Sequence, residues 1–377
     1  MKINTLVKWV KTYPVAFLFA LFLASGFIAD SLTPTKAFSD LENRYLQQFP
    51  RLTPNTLLDN SFTLKYETYI NDQFVLRDGW ITLKSVAEAG LGKIENNGVV
   101  YGKDHYLFEK YKTYDQERFQ ANLGYLEAFA ELYPEIPKSL MIVPSAYEML
   151  SELVPYGLEN VAQAPLIDSI YQRMAEHGFE SIPLDAALSG AEEPQLYYRT
   201  DHHWTTLGAY RAYLALCERL GRPAVSLDGA ARHEQEGFYG THFSKAKLFS
   251  AAPDTIVWYD LPVDSVVIDG EEKDGLYDLS KLAERDKYAM FLYSNNGVTE
   301  IENAAAPEGS ILVVKDSYAN SFVPFLAQSY RKVIVVDLRS LGEKISELIS
   351  RERPDRVLFL YSFPNFVSDA NLPKLKY

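Results

Sequence analysis

The chain has 377 residues, 47% hydrophobic and 23% charged, which is enough for two or three folded domains of about 150 residues and excludes a disordered or fibrous protein. With 37 Lys and Arg against 50 Asp and Glu, the net charge is −13, and no basic cluster follows the first dozen residues, so we expect no nucleic-acid partner. The single cysteine, Cys217, excludes an intrachain disulfide, and no Cys/His spacing fits a structural zinc site.

The amino terminus carries a membrane signal. Lys2, Lys8 and Lys11 precede residues 13–29, an uncharged run that reads YPVAFLFALFLASGFIA. This run is close to the length of a short spanning helix, about 17 residues or more. Because the lysines come first, the positive-inside rule keeps the amino terminus cytoplasmic and sends the remainder across the membrane. Residues 1–30 are therefore predicted to be a single-pass signal-anchor in the cell membrane, and a cleaved signal peptide is the alternative.

Residues 31–95 are mixed polar and aromatic. The segments LENRYLQQFP and LLDNSFTLKYETYINDQFVLRDGW have the pattern of helices separated by Pro50 and Pro54. These segments predict a helical stalk or collar. From Gly98 the pattern changes to alternation, GVVYGKDHYLFEKY, with turn residues at 102–104, which predicts a β-hairpin.

The remainder, 96–377, alternates apolar runs with helical stretches. Continuous Val/Ile/Leu runs bracketed by helices are typical of a parallel sheet covered on both faces. The fold class is therefore predicted to be α/β, an open and mostly parallel sheet covered by helices, with a loop-rich insertion at about 222–300. The predicted strands are 139–144, 310–317, 332–338 and 356–362, and the predicted helices are 164–178, 205–221, 318–330 and 340–350.

One candidate site is the segment TDHHWT, which precedes the helix that begins near residue 205. Asp201 and His203 lie two residues apart on a non-helical segment, so the carboxylate can hold Nδ1–H while Nε2 faces a nucleophile. In an extended segment His202 points to the opposite side, which makes it structural or a supporting residue. We expect no metal site on Asp201, His202 and His203, because adjacent histidines rarely reach one ion.

The second candidate is Ser317 in ILVVKDSYAN, a buried strand followed by a short turn and a helix. A serine there lies at the carboxyl edge of the sheet, where ligands bind in open α/β folds, and the helix amides can stabilise an oxyanion. Such a serine needs a base and an orienting acid, which His203 and Asp201 supply. An ordinary helix-capping role for Ser317 is the alternative, and Ser145, which also follows a strand, is the rival nucleophile.

These residues carry a family resemblance. TDHHWTTLGAY and KDSYANSF resemble the DHHW family of exported bacterial proteins, and so do LENRYLQQFP, NDQFVLRDGW, VVYGKDHYLF and GFYGTHFSKAK. This family is similar in turn to the periplasmic alginate O-acetyltransferases, SGNH-hydrolase-like enzymes in which Asp-x-His-Trp precedes the serine. The resemblance implies an SGNH-like fold with Ser317 as nucleophile, His203 as base and Asp201 as orienting acid. The turn lacks the glycine of the SGNH pattern, and no oxyanion asparagine is assigned.

The resemblance also implies the activity, a membrane-anchored extracytoplasmic serine O-acetyltransferase that modifies a cell-surface polysaccharide or exopolysaccharide without a cofactor. The acyl donor would come through a multispanning membrane acyltransferase partner. An esterase or polysaccharide deacetylase with the same triad, or a non-catalytic glycan-binding scaffold of the envelope, are the alternatives. Further candidates for substrate-binding or supporting roles are His202, Trp204, Tyr318, Tyr239 and His242.

Overall fold

A computed structural model describes residues 9–189 and 195–377. The chain divides into two compact units. The first comprises Met1–Lys93 with Lys247–Phe249, and the second comprises Ile94–Ala246 with Ser250–Tyr377. The finer division into an anchor (1–30), a collar (31–95) and an α/β domain (96–377) remains a prediction.

The first unit is mostly helical. Its helices are α1 (Pro14–Leu32), α2 (Pro54–Leu58), α3 (Ser61–Gln73) and α4 (Arg77–Gly90), and its strands are β1 (Phe38–Ser39) and β2 (Arg44–Tyr45). Within the described residues, α1 is the one helix that is long and apolar enough to cross a membrane. Its length of 19 residues and its exposed surface are consistent with the predicted anchor.

The helix predicted over LENRYLQQFP is wrong, because this segment forms a turn and the strand β2, which pairs with β1. The physical reason is a tertiary contact. Two guanidinium nitrogens of Arg44 donate to the Asp72 carboxylate at 2.9 and 2.6 Å, and the Gln47 amide donates to the same group at 2.8 Å. These bonds fix the segment against α3 and outweigh its local helical preference.

The second unit contains the sheet. Its strands are β3 (Glu95–Asn96), β4 (Val99–Tyr101), β5 (Leu107–Glu109), β6 (Lys138–Val143), β7 (Phe179–Ser181), β8 (Arg232–Phe238), β9 (Asp254–Tyr259), β10 (Ser265–Ile268), β11 (Glu271–Lys273), β12 (Val298–Glu302), β13 (Ser310–Lys315), β14 (Lys332–Val336) and β15 (Arg356–Ser362). Its helices are α5 (Gln116–Leu132), α6 (Ala146–Met149), α7 (Ala164–Glu176), α8 (Asp185–Leu188), α9 (Thr206–Leu220), α10 (Thr241–Ala246), α11 (Ala319–Leu326), α12 (Ile345–Glu352) and α13 (Phe363–Ser368), and short 3₁₀ turns lie at Lys103–His105, Ser151–Leu153, Leu279–Ala283, Lys287–Met290 and Leu372–Lys376.

Eight strands form the main sheet in the order β11-β10-β12-β14-β13-β15-β6-β7. The five from β14 to β7 are parallel, and the three at the other edge are antiparallel. The predicted open, mostly parallel α/β sheet is therefore confirmed. Within 222–300, β10 and β11 join the sheet, and β8 pairs with β9 in a separate ribbon. That this segment is a loop-rich insertion remains a prediction.

Both faces of the sheet are covered, as continuous apolar strands require. Ile311 and Val313 of β13 point into the core that holds α9 and α11, whereas Leu312 and Val314 point into the core that holds α5, α7 and α12. Cys217 is buried in the first of these cores. The predicted hairpin is also confirmed, since β4 and β5 pair antiparallel around the 3₁₀ turn.

Candidate active site

The turn between β13 and α11 presents Ser317 at the carboxyl edge of the sheet. Asp316 builds this turn. One of its carboxylate oxygens accepts from the Tyr318 amide at 2.9 Å, and the other accepts from the amide and hydroxyl of Ser362 and from the Asn365 side chain at 2.7 to 2.8 Å. The Asp316 carboxylate therefore connects the serine turn to the end of β15. The sequence analysis assigned no role to Asp316.

The three residues predicted to act together are in contact. His203 Nε2 lies 2.7 Å from Ser317 Oγ, and His203 Nδ1 lies 2.5 Å from Asp201 Oδ1. The exposed fractions of Asp201, His203 and Ser317 are 2%, 5% and 9%, so the chain of hydrogen bonds is shielded from water. Asp201 is itself fixed, because it accepts from the backbone amides of His203 at 3.0 Å and Thr241 at 2.7 Å. This is the arrangement of nucleophile, base and orienting acid.

Trp204 links the two motifs. Its indole Nε1 donates to the Tyr318 carbonyl and to Ser321 Oγ, both at 3.0 Å. The next residue, Thr205, caps α9 by accepting from the Gly208 amide at 3.3 Å. Trp204 is fully buried, so its indole holds the start of α9 against α11, and with it His203 against Ser317.

The prediction that His202 points away from His203 is wrong. The two imidazole rings lie side by side with centroids 3.8 Å apart, because the segment bends at the Asp201 carboxylate and is not an extended strand. The Thr241 hydroxyl donates to Asp201 at 3.1 Å and therefore accepts from His202 Nδ1 at 2.7 Å. His202 thus belongs to the hydrogen-bond network around Asp201.

Asp201, His202 and His203 offer ligand atoms within 4.8 Å of one another, a spacing that can hold a metal ion. His203 Nδ1 and Asp201 Oδ1 already share the hydrogen bond that aims Nε2 at Ser317, and an ion bound through either atom would break it. The three residues therefore fit a proton-transfer network better than a metal centre, and the expectation of no metal stays a prediction.

The electrostatics of the site favour the uncharged form of His203. Burial opposes ionisation of Asp201, but the two imidazoles and the Thr241 amide outweigh it and hold the pKa of Asp201 well below its usual value. Burial lowers the pKa of His203 to about 4, and the neighbouring His202 adds to this, while Asp201 opposes it. At neutral pH His203 is therefore uncharged, and because Nδ1–H is bound to Asp201, Nε2 carries the lone pair that faces Ser317.

Tyr288 is a site residue that sequence reasoning missed. Its ring stacks on His203 with centroids 3.8 Å apart and planes within 9°, and its hydroxyl donates to the Ser317 carbonyl at 3.1 Å. Tyr288 lies in the 3₁₀ turn Lys287–Met290, within the segment expected to be an insertion with site loops. No local motif marks it, because its place depends on how that segment packs on the sheet.

The Ser317 backbone amide and the side chain of Lys315, two residues earlier, are further hydrogen-bond donors in this part of the chain. Among the described residues, none accepts a hydrogen bond from the Ser317 backbone amide. Lys315, one residue before Asp316, is buried, and its Nζ donates to the side-chain oxygens of Asn295 and Asn320, each at 2.8 Å. Burial lowers the pKa of Lys315 to about 8, against the opposing effect of Asp337. Lys315 therefore connects Asn295 and Asn320, neither of which the sequence analysis identified as a candidate site residue.

The other candidates take different positions. Tyr318 is buried, donates its hydroxyl to the His202 carbonyl, and lies 5.0 Å from the His203 ring. His242 is buried with its ring centroid 6.2 Å from that of His202. Tyr239 is half-buried and packs on Phe243, with centroids 4.5 Å apart.

The rival nucleophile, Ser145, is placed differently from Ser317. Its Oγ accepts from the Gln163 amide at 2.7 Å and has no imidazole as a hydrogen-bond partner among the described residues. The hydrogen-bond partners therefore favour Ser317 over Ser145 as the candidate nucleophile.

A family model described as "DHHW protein" matches residues 137–336, more than half of the 377 residues. The chain belongs to the DHHW family. Two relatives, each named "Probable alginate O-acetylase AlgJ", come from Pseudomonas syringae pv. tomato and Pseudomonas putida. The first is 26% identical over 44% of each chain, and the second is 26% identical over 48% of this chain and 49% of the relative. The chain thus matches under half of the length of these relatives.

Solved structures show the same fold. A DHHW family protein from Eubacterium siraeum superposes with a TM-score of 0.65 and 26% identity, over 75% of this chain and 96% of the other. Bacillus cereus PatB1 superposes with a TM-score of 0.59 and 22% identity, over 71% of this chain and 96% of the other. The SGNH-like α/β architecture is therefore shared with both.

Proposed function

We propose that this protein is a membrane-anchored, extracytoplasmic serine O-acetyltransferase that acetylates a cell-surface polysaccharide or exopolysaccharide. The observation that carries the proposal is the hydrogen-bonded series Asp201–His203–Ser317, buried at the carboxyl edge of the sheet. Similarity to proteins named alginate O-acetylase supports acetyl transfer as the reaction and polysaccharide as the acceptor class.

In the first half-reaction, His203 Nε2 takes the Ser317 proton as Oγ attacks the carbonyl carbon of the acyl donor. Asp201 stabilises the imidazolium that forms. The negative charge on the carbonyl oxygen is met by the Ser317 amide and the amino-terminal end of α11. The tetrahedral intermediate then collapses, the leaving group takes the proton from His203, and an acetyl ester remains on Ser317.

In the second half-reaction, a hydroxyl of the acceptor occupies the place of the leaving group. His203 removes its proton, the alkoxide attacks the acetyl ester, and Ser317 recovers its proton from His203 as it leaves. Hydrolysis follows the same path with water as the acceptor. Transferase and esterase therefore differ only in which hydroxyl reaches the acyl-serine.

The apolar helix α1 supports anchoring of the chain in a membrane, with the lysines at positions 2, 8 and 11 on the cytoplasmic side. This orientation puts the active site outside the cytoplasm, away from acetyl-coenzyme A. The donor would therefore be delivered across the membrane by a multispanning acyltransferase partner.

The test is intact-mass analysis of the detergent-solubilised full chain after incubation with an activated acetyl ester. We expect one acetyl adduct on the wild type and on Ser145→Ala, and none on Ser317→Ala. An unmodified, folded wild-type chain that also fails to turn over the ester would overturn the catalytic proposal in favour of a glycan-binding scaffold. An adduct whose turnover is not increased by any glycan acceptor would identify an esterase.

A further inference from the structure

The elbow between α3 and α4, residues 74–80, is fixed to the segment that follows the apolar helix α1. The Val75 amide donates to Asp30 Oδ1 at 2.9 Å. The Lys36 amide donates to Gln73 Oε1 at 2.8 Å, and Gln73 Nε2 donates to the Lys36 carbonyl at 2.9 Å. These hydrogen bonds hold the end of α3 and the elbow beside the end of α1, within one compact unit.

The same bonds set the depth of the elbow relative to a membrane that α1 spans. Residues 13–29 carry no charge, and Asp30 is the first charged residue after them. The Asp30 carboxylate therefore lies at the boundary between the acyl chains and the lipid headgroups. A headgroup layer is roughly 5 to 8 Å thick on each side of a bilayer, so a backbone amide bonded to this carboxylate lies within that layer.

The elbow exposes apolar side chains at this depth. Phe74 and Leu76, the neighbours of the bonded amide, are both exposed, Leu76 by 75%. Trp80 and Leu83 are also exposed, and their spacing from Leu76 places all three on one face of α4 and its first turn. Ser85, about 140° around the helix from Trp80, is buried. The exposed apolar face of α4 therefore points away from the side that packs on the protein.

The backbone conformation holds Leu76 in this exposed position. Leu76 has φ 56° and ψ 28°, in the left-handed region that leucine rarely adopts. Its side chain has no polar atom that could form the local hydrogen bonds with which asparagine offsets this strain. The Arg77 amide closes the turn by donating to the Phe74 carbonyl at 3.1 Å. The conformation costs free energy that an exposed side chain does not recover within the protein, which points to a contact outside the chain.

We propose that the elbow inserts Phe74, Leu76 and Trp80 into the lipid headgroup layer beside α1, as a second membrane contact. Aromatic and aliphatic side chains at this depth exchange water for the boundary of the acyl chains, a zone that favours Trp, Phe and Leu. Two points of attachment restrict the rotation of the first unit about α1. The assignment rests on the proposed membrane anchoring and goes beyond it, since α1 alone leaves this rotation free.

The test reconstitutes the full chain into phosphatidylcholine vesicles and measures the fluorescence of Trp80. All samples carry Trp9→Phe, because Trp9 is the other exposed tryptophan, and the Trp80 signal is the difference from Trp80→Phe. We expect lipids brominated near the carbonyl end of the acyl chains to quench this signal by about half or more, and iodide on both sides of the bilayer to quench it less. Quenching by iodide alone would show an elbow in water, and quenching by neither would show an elbow covered by protein. Either result overturns the proposal.

Leu76→Asn separates the membrane contact from folding. Asparagine accepts the left-handed conformation, so this substitution relieves the strain while it removes the apolar side chain. We expect the Tm to stay the same or rise, and quenching of Trp80 by brominated lipid to fall by about a third or more. Leu64→Asn, at an exposed position near the start of α3, is the matched control and should leave the quenching unchanged. Unchanged quenching in Leu76→Asn, or an equal fall in Leu64→Asn, would contradict the assignment.

Failure of this assignment differs from failure of the proposed anchoring. If the chain leaves the vesicles in an alkaline carbonate wash, α1 does not span the bilayer, and both proposals are wrong. If the chain stays and brominated lipid does not quench Trp80, the anchoring stands and the elbow assignment is wrong. Acetylation of Ser317 by the activated ester tests catalysis independently of both.

Discussion

Two buried aspartates are connected to the Ser317 turn, and they differ in their partners. Asp201 is 2% exposed and is bound to His203 at 2.5 Å, and the imidazole in turn contacts the serine hydroxyl. Asp337 is 1% exposed and pairs with Arg339 through two bonds of 2.8 and 2.6 Å, and with Lys315 at 3.3 Å. Asp201 is therefore connected through His203 to Ser317, the proposed nucleophile, whereas Asp337 pairs with two cations.

The comparison shows that burial and charge pairing do not by themselves identify a catalytic carboxylate. Arg339 stays protonated, and its hydrogen bond to Asp337 raises its pKa further, so that pair cannot pass a proton at neutral pH. His203 is uncharged and can accept one. We therefore assign Asp201 to the proposed proton transfer and Asp337 to the stability of the turn.

The sharpest test is Asp201→Asn. The amide cannot stabilise the imidazolium or hold Nδ1–H in the same way, so we expect the rate of acetyl-serine formation to fall by about 10⁴-fold. The free energy of unfolding should fall by about 1 to 3 kcal/mol, because the amide nitrogen cannot accept the hydrogen bonds that one carboxylate oxygen accepts. Rapid-mixing experiments measure the rate of acetyl-serine formation, and chemical denaturation measures the free energy of unfolding.

Asp337→Asn is the matched substitution at the second buried aspartate. Removing one charge from a buried pair leaves Lys315 and Arg339 without their counter-ion, so we expect a loss of about 3 to 5 kcal/mol in the free energy of unfolding. The rate of acetyl-serine formation per folded molecule should fall by less than about tenfold. A rate loss as large as that of Asp201→Asn, with normal stability, would contradict the division of roles.

The sequence alone predicted much of this site. The apolar runs of β13, β14 and β15 predicted the sheet, and the motifs containing His203 and Ser317 predicted the contact between them. The side-chain direction of His202 could not be predicted, since it depends on Thr241, 39 residues farther along the chain. A Cβ on Gly240 would lie 2.2 Å from Asp201 Cβ, a close approach that becomes visible only when the two segments are packed together.

Other features of the site were unpredictable from the sequence for the same reason, namely the positions of Tyr288 and Asn295 and the contacts of Asp316 with Ser362 and Asn365. Each depends on long-range packing between segments that carry no local signal of their own. The helix expected at LENRYLQQFP failed for a related reason, because the tertiary bonds of Asp72 outweighed helical propensity.

A third prediction concerns acid stability and uses His242. Because burial lowers its pKa to about 4 from an unfolded value near 6.5, the unfolded chain binds this proton first as the pH falls. The contribution of neutral His242 is therefore fully present above pH 6.5 and is lost as the pH falls towards 4. It amounts to about 1.4 kcal/mol per pH unit, or about 3 kcal/mol over the interval. The wild type should lose more stability than His242→Leu over this range in parallel denaturation series, and equal losses would contradict the prediction.

The smallest expected effect is that of Trp204→Phe. This substitution tests whether packing alone keeps His203 in place against Ser317. Phenylalanine lacks the N–H that joins the start of α9 to the Tyr318 carbonyl and Ser321 Oγ, and it leaves part of the indole volume empty. We expect a loss of about 2 kcal/mol in the free energy of unfolding and a two- to tenfold lower rate, about the effect of one lost hydrogen bond and a small cavity. Ser321 keeps its hydrogen bond with the Tyr288 hydroxyl at 3.1 Å, so α11 remains bonded to the site through that contact. A rate loss near that of Asp201→Asn would mean that Trp204 controls the distance between His203 and Ser317 much more tightly than packing contacts usually do.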